Sequence, residues 1–238
     1  MTKTLNVALI GGGFMGKAHA MAYASMPMFF WPAPAIPHRK VVVDLTDGAA
    51  QEARERLGFD EASTDWKETI NRPDIDIVDI CTPNDAHAEI AIEALKAGKH
   101  VICEKPLAST LEESIAMAEA ARASNGTTMV AFNYRRTPAV ALAKKFIDEG
   151  KIGDVINFRG TYLQDWSADP DGPLSWRFQK KIAGSGAIGD IGTHVIDLAH
   201  HLVGPIDNVQ AITSTYVKTR PIHQGGVDKL GASEKSSD

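Results

Sequence analysis

Cysteine is scarce: Cys81 and Cys103 are the two in 238 residues. That is too few for a disulfide framework and fits a reducing cytoplasm, the expected location. No window holds the roughly 18 consecutive apolar residues of a membrane-spanning helix, so no membrane partner is expected. Positive charge is in the minority, with 25 Lys and Arg against 30 Asp and Glu and a net charge of −5. A nucleic-acid surface needs clustered Lys and Arg, so no nucleic-acid partner is expected either. Met1-Thr2-Lys3 runs straight into a strand pattern, leaving no secretory signal to expect, and the Asn125-Gly126-Thr127 acceptor motif is then idle. Internal repeats are absent.

What is present reads as an ordinary globular chain, 44% apolar and 23% charged. Its length allows one large domain or two modest ones. The first half alternates strand and helix patterns, the mark of a parallel sheet with crossover helices. Strands are predicted at residues 6–10, 41–44, 77–81, 101–103 and 128–132. Helices are predicted at 16–25, 49–57, 86–97 and 111–123, with Gly98 as a stop. Runs such as Val41-Val42-Val43 suit strands covered on both faces. Beyond Asn133 the pattern changes to a helix at 139–149, a long strand at 155–163, a helix at 190–202 and a second long strand at 209–217. The fold class expected is therefore α/β: a doubly wound parallel sheet in 1–133, then an α+β open-sheet domain in 134–238. With two clear strands that second domain is incomplete. Residues 26–37 (MPMFFWPAPAIP) are apolar and Pro-punctuated, too broken for a helix. They read as a buried connection or, alternatively, an exposed patch for a partner. The stretch 221–238 reads as loop or disorder.

The loop Gly11-x-Gly13-x-x-Gly16 follows the first strand and opens the first helix, the context in which such glycines seat a pyrophosphate. Gly11 allows the tight turn, Gly13 lets backbone approach the anion, and Gly16 lets helix and strand pack closely. Phe14 and Met15 lie at the helix start, where free N–H groups and the positive dipole end face the anion. An ordinary strand-to-helix turn is the bland alternative. Asp44 closes the second strand, further on than the usual spacing of about 20 residues. A carboxylate there binds both ribose hydroxyls and repels a 2′-phosphate, favouring NAD over NADP; a cap before Leu45-Thr46 is the alternative. Thr82, Asn84 and His87 follow the next strand at the sheet edge where ligands bind. Thr82 and Asn84 also suit caps of the next helix.

Glu104 and Lys105 close the following strand. Glu104 and Lys105 count among the cofactor contacts, and Lys105, held by Pro106, is also placed to hydrogen-bond a substrate hydroxyl; a surface lysine is the alternative. Asp190 and His194 are four apart on a predicted helix, hence on one face. An imidazole with its ordinary pKa of roughly 6.5 suits removal of a hydroxyl proton. The same spacing suits two metal ligands, but no third is grouped with them and hydride transfer to NAD needs none, so no metal is expected. Tyr134 and Gln164 carry polar groups suited to sugar hydroxyls. Trp166 suits stacking on a pyranose face, with packing in its own loop as the alternative.

Together these residues resemble the Gfo/Idh/MocA family of sugar and inositol dehydrogenases over residues 6–217. The likeness rests on the glycine loop, Thr82-Pro83-Asn84 with His87, Glu104-Lys105-Pro106, Trp176-Arg177, and Gly184-x-Gly186 leading into Asp190 and His194. It implies a Rossmann domain followed by an open-faced sheet domain, with Lys105, Asp190 and His194 as the catalytic set. Residues 26–37, Tyr134-Arg135-Arg136 and Tyr162-Leu163-Gln164-Asp165-Trp166 are similar to the levoglucosan dehydrogenase branch, which oxidises a pyranose C3 hydroxyl. The resemblance implies NAD-dependent oxidation of such a hydroxyl, or of a cyclic polyol such as an inositol, by a homo-oligomer, a dimer or tetramer. A nicotinamide-binding regulatory protein without catalysis is the alternative of another class. Family members run on past the point where this chain stops, so it is a piece of a longer protein or a shortened natural product.

Overall fold

The computed structural model describes residues 2–222 and divides into two compact units, Met1–Ala131 and the part from Phe132 onward. The sequence reading of 221–238 lies almost wholly outside the described residues.

In the first unit six strands form one parallel sheet in the order β3-β2-β1-β4-β5-β6. They are β1 (Lys3–Ile10), β2 (Ala35–Val43), β3 (Glu61–Ser63), β4 (Ile77–Ile80), β5 (His100–Cys103) and β6 (Thr128–Val130). The helices between them are α1 (Phe14–Phe29), α2 (Asp47–Leu57), α3 (Trp66–Asn71), α4 (His87–Lys96) and α5 (Leu111–Ala123). This is the Rossmann strand order, which reverses direction between β1 and β4; ligands bind such sheets at that switch point, beyond the strands' carboxyl ends. Apolar residues alternate between two cores. Ala8, Ile10, Val78, Ile80, Val101 and Cys103 pack against α4 and α5, while Leu9 and Val42 pack against Ala20 of α1 and Ala53 and Leu57 of α2. Both sheet faces are thus covered, as the β-branched runs require.

Several boundaries differ from expectation. β3 and α3 were not expected, because three and six residues are too short to show a period. β2 begins six residues early and includes Pro37. Its outer side pairs with β3 only from Val41 onward, so Pro37 interrupts no ladder there. α1 runs through Met26–Phe29 rather than ending at Ser25. Pro27 falls in its last turn, which the Phe30 N–H closes onto the Met26 carbonyl at 3.0 Å. Met28, Phe29, Phe30 and Trp31 are exposed, Trp31 at 88%, so this stretch is not the buried connection.

The second unit holds α6 (Pro138–Asp148), the single turn α7 (Lys180–Ala183), a π-helical turn at Ile188–Gly192 and α8 (Thr193–Leu202). Residues 155–163 and 209–217, expected as long strands, make no strand pairing among the described residues. A strand needs a partner for its ladder groups, and neither segment has one here. The helix expected at 190–202 opens with the π turn instead of a regular one, which places Asp190 in a wider coil than His194.

Candidate active site

In the first unit the predicted cofactor residues gather at the carboxyl ends of β1, β2, β4 and β5. Ladder bonds carry the chain into the turns: Gly11 donates to the Val43 carbonyl and Cys81 to the Ile10 carbonyl, both at 2.8 Å. Gly11 has φ +98°, and a side chain on it would lie 2.7 Å from the Cys81 carbonyl oxygen. At Gly16 it would strike the Gly11 carbonyl. Space around Gly13 is open, as a close-approaching ligand requires. Phe14 and Met15 follow in the first turn of α1, which carries no side-chain cap and no acidic residue. An anion there meets free N–H groups.

Asp44 stands beside this loop, accepting from the Gly12 N–H at 3.0 Å and from the Leu45 N–H at 2.7 Å. It does not cap α2. Thr46 does, accepting from the Ala49 N–H at 3.2 Å. Neither Thr82 nor Asn84 caps α4, whose N-cap is Ala86. The Thr82 hydroxyl oxygen is buried with no hydrogen-bond partner among the described residues, and such a group wants a ligand.

His87 departs from expectation. It is fully buried, with Nδ1 3.0 Å from the Pro106 carbonyl and Nε2 3.0 Å from the Thr82 carbonyl. Both ring nitrogens are engaged, so it ties the loop after β4 to the loop after β5 and offers no ring atom to a cofactor. Glu104, 5% exposed, is likewise turned inward. One carboxylate oxygen accepts the Lys105 N–H at 3.0 Å and the other meets His19 Nε2 at 3.0 Å. The Lys105–Pro106 peptide bond is cis. The other nitrogen of His19 faces Asp79 at 2.9 Å, and donor atoms of His19, Asp79 and Cys81 lie within 4.8 Å of one another. Hydrogen bonds account for that grouping. Sequence reasoning passed over His19, although an aspartate inside the apolar strand Ile77-Val78-Asp79-Ile80 signals a buried polar partner.

In the second unit His194 is 6% exposed, in the first turn of α8. Its ring lies 4.4 Å from that of Tyr134, 5.9 Å from that of Tyr162 and 6.1 Å from that of Phe132. The Tyr134 and Tyr162 hydroxyls are 2.5 Å apart, and Gln164 Nε2 donates to the Tyr162 hydroxyl at 3.1 Å. The hydrogen bond shared with Tyr162, with some burial, pushes the Tyr134 phenol up to about 12. His194, Tyr134 and Gln164 are thus brought into one group, joined by Tyr162, which had not been singled out. Asp190 lies in the π turn with Arg177 Nε 4.0 Å from its carboxylate. Below the site Arg135 clasps the buried Asp197 with both nitrogens of its fork, anchoring the turn of Tyr134 to α8. Trp166 stacks on Phe178, centroids 5.3 Å apart, which is its packing alternative.

Comparison with known proteins decides the family. A model described as oxidoreductase family, NAD-binding Rossmann fold, matches residues 5–132, and one described as GFO/IDH/MocA C-terminal domain matches residues 140–232. The chain belongs to the Gfo/Idh/MocA oxidoreductase family. It is 64% identical over 229 residues to levoglucosan dehydrogenase of Pseudarthrobacter phenanthrenivorans, covering 96% of this chain and 59% of that protein. A solved levoglucosan dehydrogenase in complex with NADH and levoglucosan matches with a TM-score of 0.92 at 64% identity, over 95% of this chain and 61% of that one. The scyllo-inositol 2-dehydrogenase (NAD(+)) of Bacillus subtilis is 33% identical over 207 residues, 86% of this chain and 55% of that protein. The chain thus spans about three-fifths of the length of the relatives it matches. Among the described residues no helix is long and apolar enough to cross a membrane.

Proposed function

We propose that the protein carrying this chain is an NAD-dependent dehydrogenase that oxidises a secondary hydroxyl of a pyranose sugar, levoglucosan-like and at C3. The observation that carries the reading is the 64% identity to a levoglucosan dehydrogenase, which runs through both units; the inositol dehydrogenase lies at 33%. The geometry of the first unit fits a dinucleotide: an open approach at Gly13, an uncapped helix start, a buried and unpartnered Thr82 hydroxyl, and the Asp44 carboxylate beside the loop.

Gly11, Gly13, Phe14, Met15 and Gly16 hold the pyrophosphate, Asp44 the ribose diol, and Thr82 and Asn84 the far half. Bound NAD supplies a hydride acceptor. His194 takes the hydroxyl proton from the substrate, Lys105 binds the reacting oxygen and favours its alkoxide character, and Asp190 orients His194 or holds a neighbouring hydroxyl. Tyr134, Tyr162 and Gln164 offer sugar hydroxyls a row of donors and acceptors beside His194, and Trp166 borders the sugar from the Phe178 side. Domain limits of 1–133 for cofactor and 134–238 for substrate and assembly go with this division of labour. We place the protein in the cytoplasm as a dimer or tetramer. Light scattering of the complete protein checks the assembly, and a monomer at micromolar concentration would refute it.

General-base catalysis is worth roughly 10²–10⁴-fold. His194→Ala should therefore lower turnover by about that factor while the dissociation constant for NAD stays nearly unchanged. Collapse of NAD binding in a folded variant would assign His194 to the cofactor site instead.

A further inference from the structure

A line of hydrogen bonds crosses the first unit that proton and hydride transfer, as described, leave unused. Asp79 pairs in register with Leu9, on the sheet face that α1 covers, and it is fully buried. His19 and Tyr23, one helical turn apart on α1, reach it from one side: the Tyr23 hydroxyl donates at 2.7 Å and His19 Nδ1 lies at 2.9 Å. Cys81 Sγ adds a weak contact at 3.8 Å. His19 Nε2 then meets one oxygen of Glu104 at 3.0 Å, and the other Glu104 oxygen accepts the Lys105 N–H at 3.0 Å.

Both nitrogens of His19 face carboxylates. Neutral imidazole has one N–H and satisfies one of them; imidazolium donates to both. Burial opposes the charge, but hydrogen bonds to Asp79, Cys81 and Glu104 overcome it and hold the ring protonated well above the usual histidine range. Burial, reinforced by the Asp79 charge, keeps the Tyr23 phenol protonated and pushes the Cys81 thiol up to about 12. At neutral pH every neighbour of Asp79 in this line is thus a donor.

We propose that His19 is a positioning residue for Lys105: it bridges Asp79 and Glu104, so that Glu104 keeps hold of the Lys105 amide and the lysine leaves the end of β5 from a fixed point. The assignment rests on the dehydrogenase reading, in which Lys105 binds the reacting oxygen. His19 also stands one turn beyond Gly16, on the helix whose start faces the pyrophosphate. One side chain therefore ties the cofactor helix to the Lys105 turn across β4. A network that only stabilised the fold would be indifferent to which of its two carboxylate contacts was lost.

The test exploits that difference. Asparagine at 19 reaches the position of Nδ1 and keeps a donor for Asp79, but falls short of Glu104. Glutamine reaches the position of Nε2 and keeps the Glu104 contact. Amide hydrogen exchange and steady-state kinetics are measured on the complete protein, wild type, His19→Asn, His19→Gln and Glu104→Gln. In His19→Asn the Lys105 amide should lose at least about tenfold of its protection while Val101 and Ile102 of β5 keep theirs. Its kcat should fall roughly ten- to a hundredfold, as misplacement of a reacting group by about 1 Å does, with KM for NAD within about threefold. His19→Gln should retain most of both quantities, and Glu104→Gln should behave like His19→Asn. Equal losses in His19→Asn and His19→Gln overturn the proposal. So does unchanged Lys105 protection in His19→Asn, or lost protection with unchanged kcat. A general loss of β5 protection also overturns it, marking His19 as a stabiliser of the sheet. Wild-type protein that turns over no sugar overturns the dehydrogenase reading instead; the two failures separate because exchange at Lys105 needs no turnover.

Discussion

Asp44 shows how much one side chain decides. Its carboxylate is fixed by the amides of Gly12 and Leu45 at the end of β2, beside the loop expected to seat a pyrophosphate. A fixed negative charge there attracts a ribose diol and repels a 2′-phosphate. Asp44→Ser should weaken NAD and strengthen NADP, narrowing their affinity ratio by about tenfold, the worth of one charge-assisted hydrogen bond. Fluorescence titration with both nucleotides checks this, and an unchanged ratio would place the discrimination elsewhere. The places of Asp44 and the glycines just after β2 and β1 were legible because they follow from short-range backbone pattern. His19, Tyr23 and Asp79 were not. Their partners lie 56 to 60 residues apart in sequence, and a lone polar residue in a strand signals a partner without naming it. His87, expected as a cofactor contact from its position after β4, is buried with its two ring nitrogens facing the Pro106 and Thr82 carbonyls.

Elements were legible in proportion to their length and to whether their partners are local. Apart from β3 and α3, the alternation through α5 reads cleanly because its strands hold apolar runs and a helix such as α4 has a stop, Gly98 at φ +75°. β3 carries a charged, three-residue pattern with no period. Its place at the sheet edge is reinforced by Glu61, which binds Lys40 at 2.6 Å and Arg72 at 2.5 Å. Hydrogen bonds from Arg72 and then Lys40 lower the Glu61 carboxyl from 4.5 to about 2. A carboxyl lowered by folding stabilises the native state above its unfolded pKa, and that contribution is lost as pH falls from about 4.5 toward 2. Because Glu61 is partly exposed, screening keeps the contribution modest. Urea midpoints at pH 6, 4 and 3 should fall less steeply for Glu61→Gln than for wild type, and parallel curves would contradict the assignment. Residues 155–163 and 209–217 show the converse case. Their composition suits strands, but strand structure is a property of pairs, and no ladder forms among the described residues.

At the scale of the whole molecule, the family membership and the Rossmann sheet are established, and the likeness to levoglucosan dehydrogenases extends through both units. The family was legible because three separated motifs, the glycine loop, Glu104-Lys105-Pro106 and Asp190 with His194, stand in one order along the chain. The grouping of Tyr134, Tyr162 and Gln164 beside His194 was less so, since it needs the fold. The measurement that bears most directly on the account is reduced-nicotinamide absorbance when the complete protein meets NAD with levoglucosan, glucose, xylose and inositols in turn. The account predicts NADH formation fastest with levoglucosan and slow or absent with inositols; silence with every sugar, or turnover of inositol alone, would contradict it.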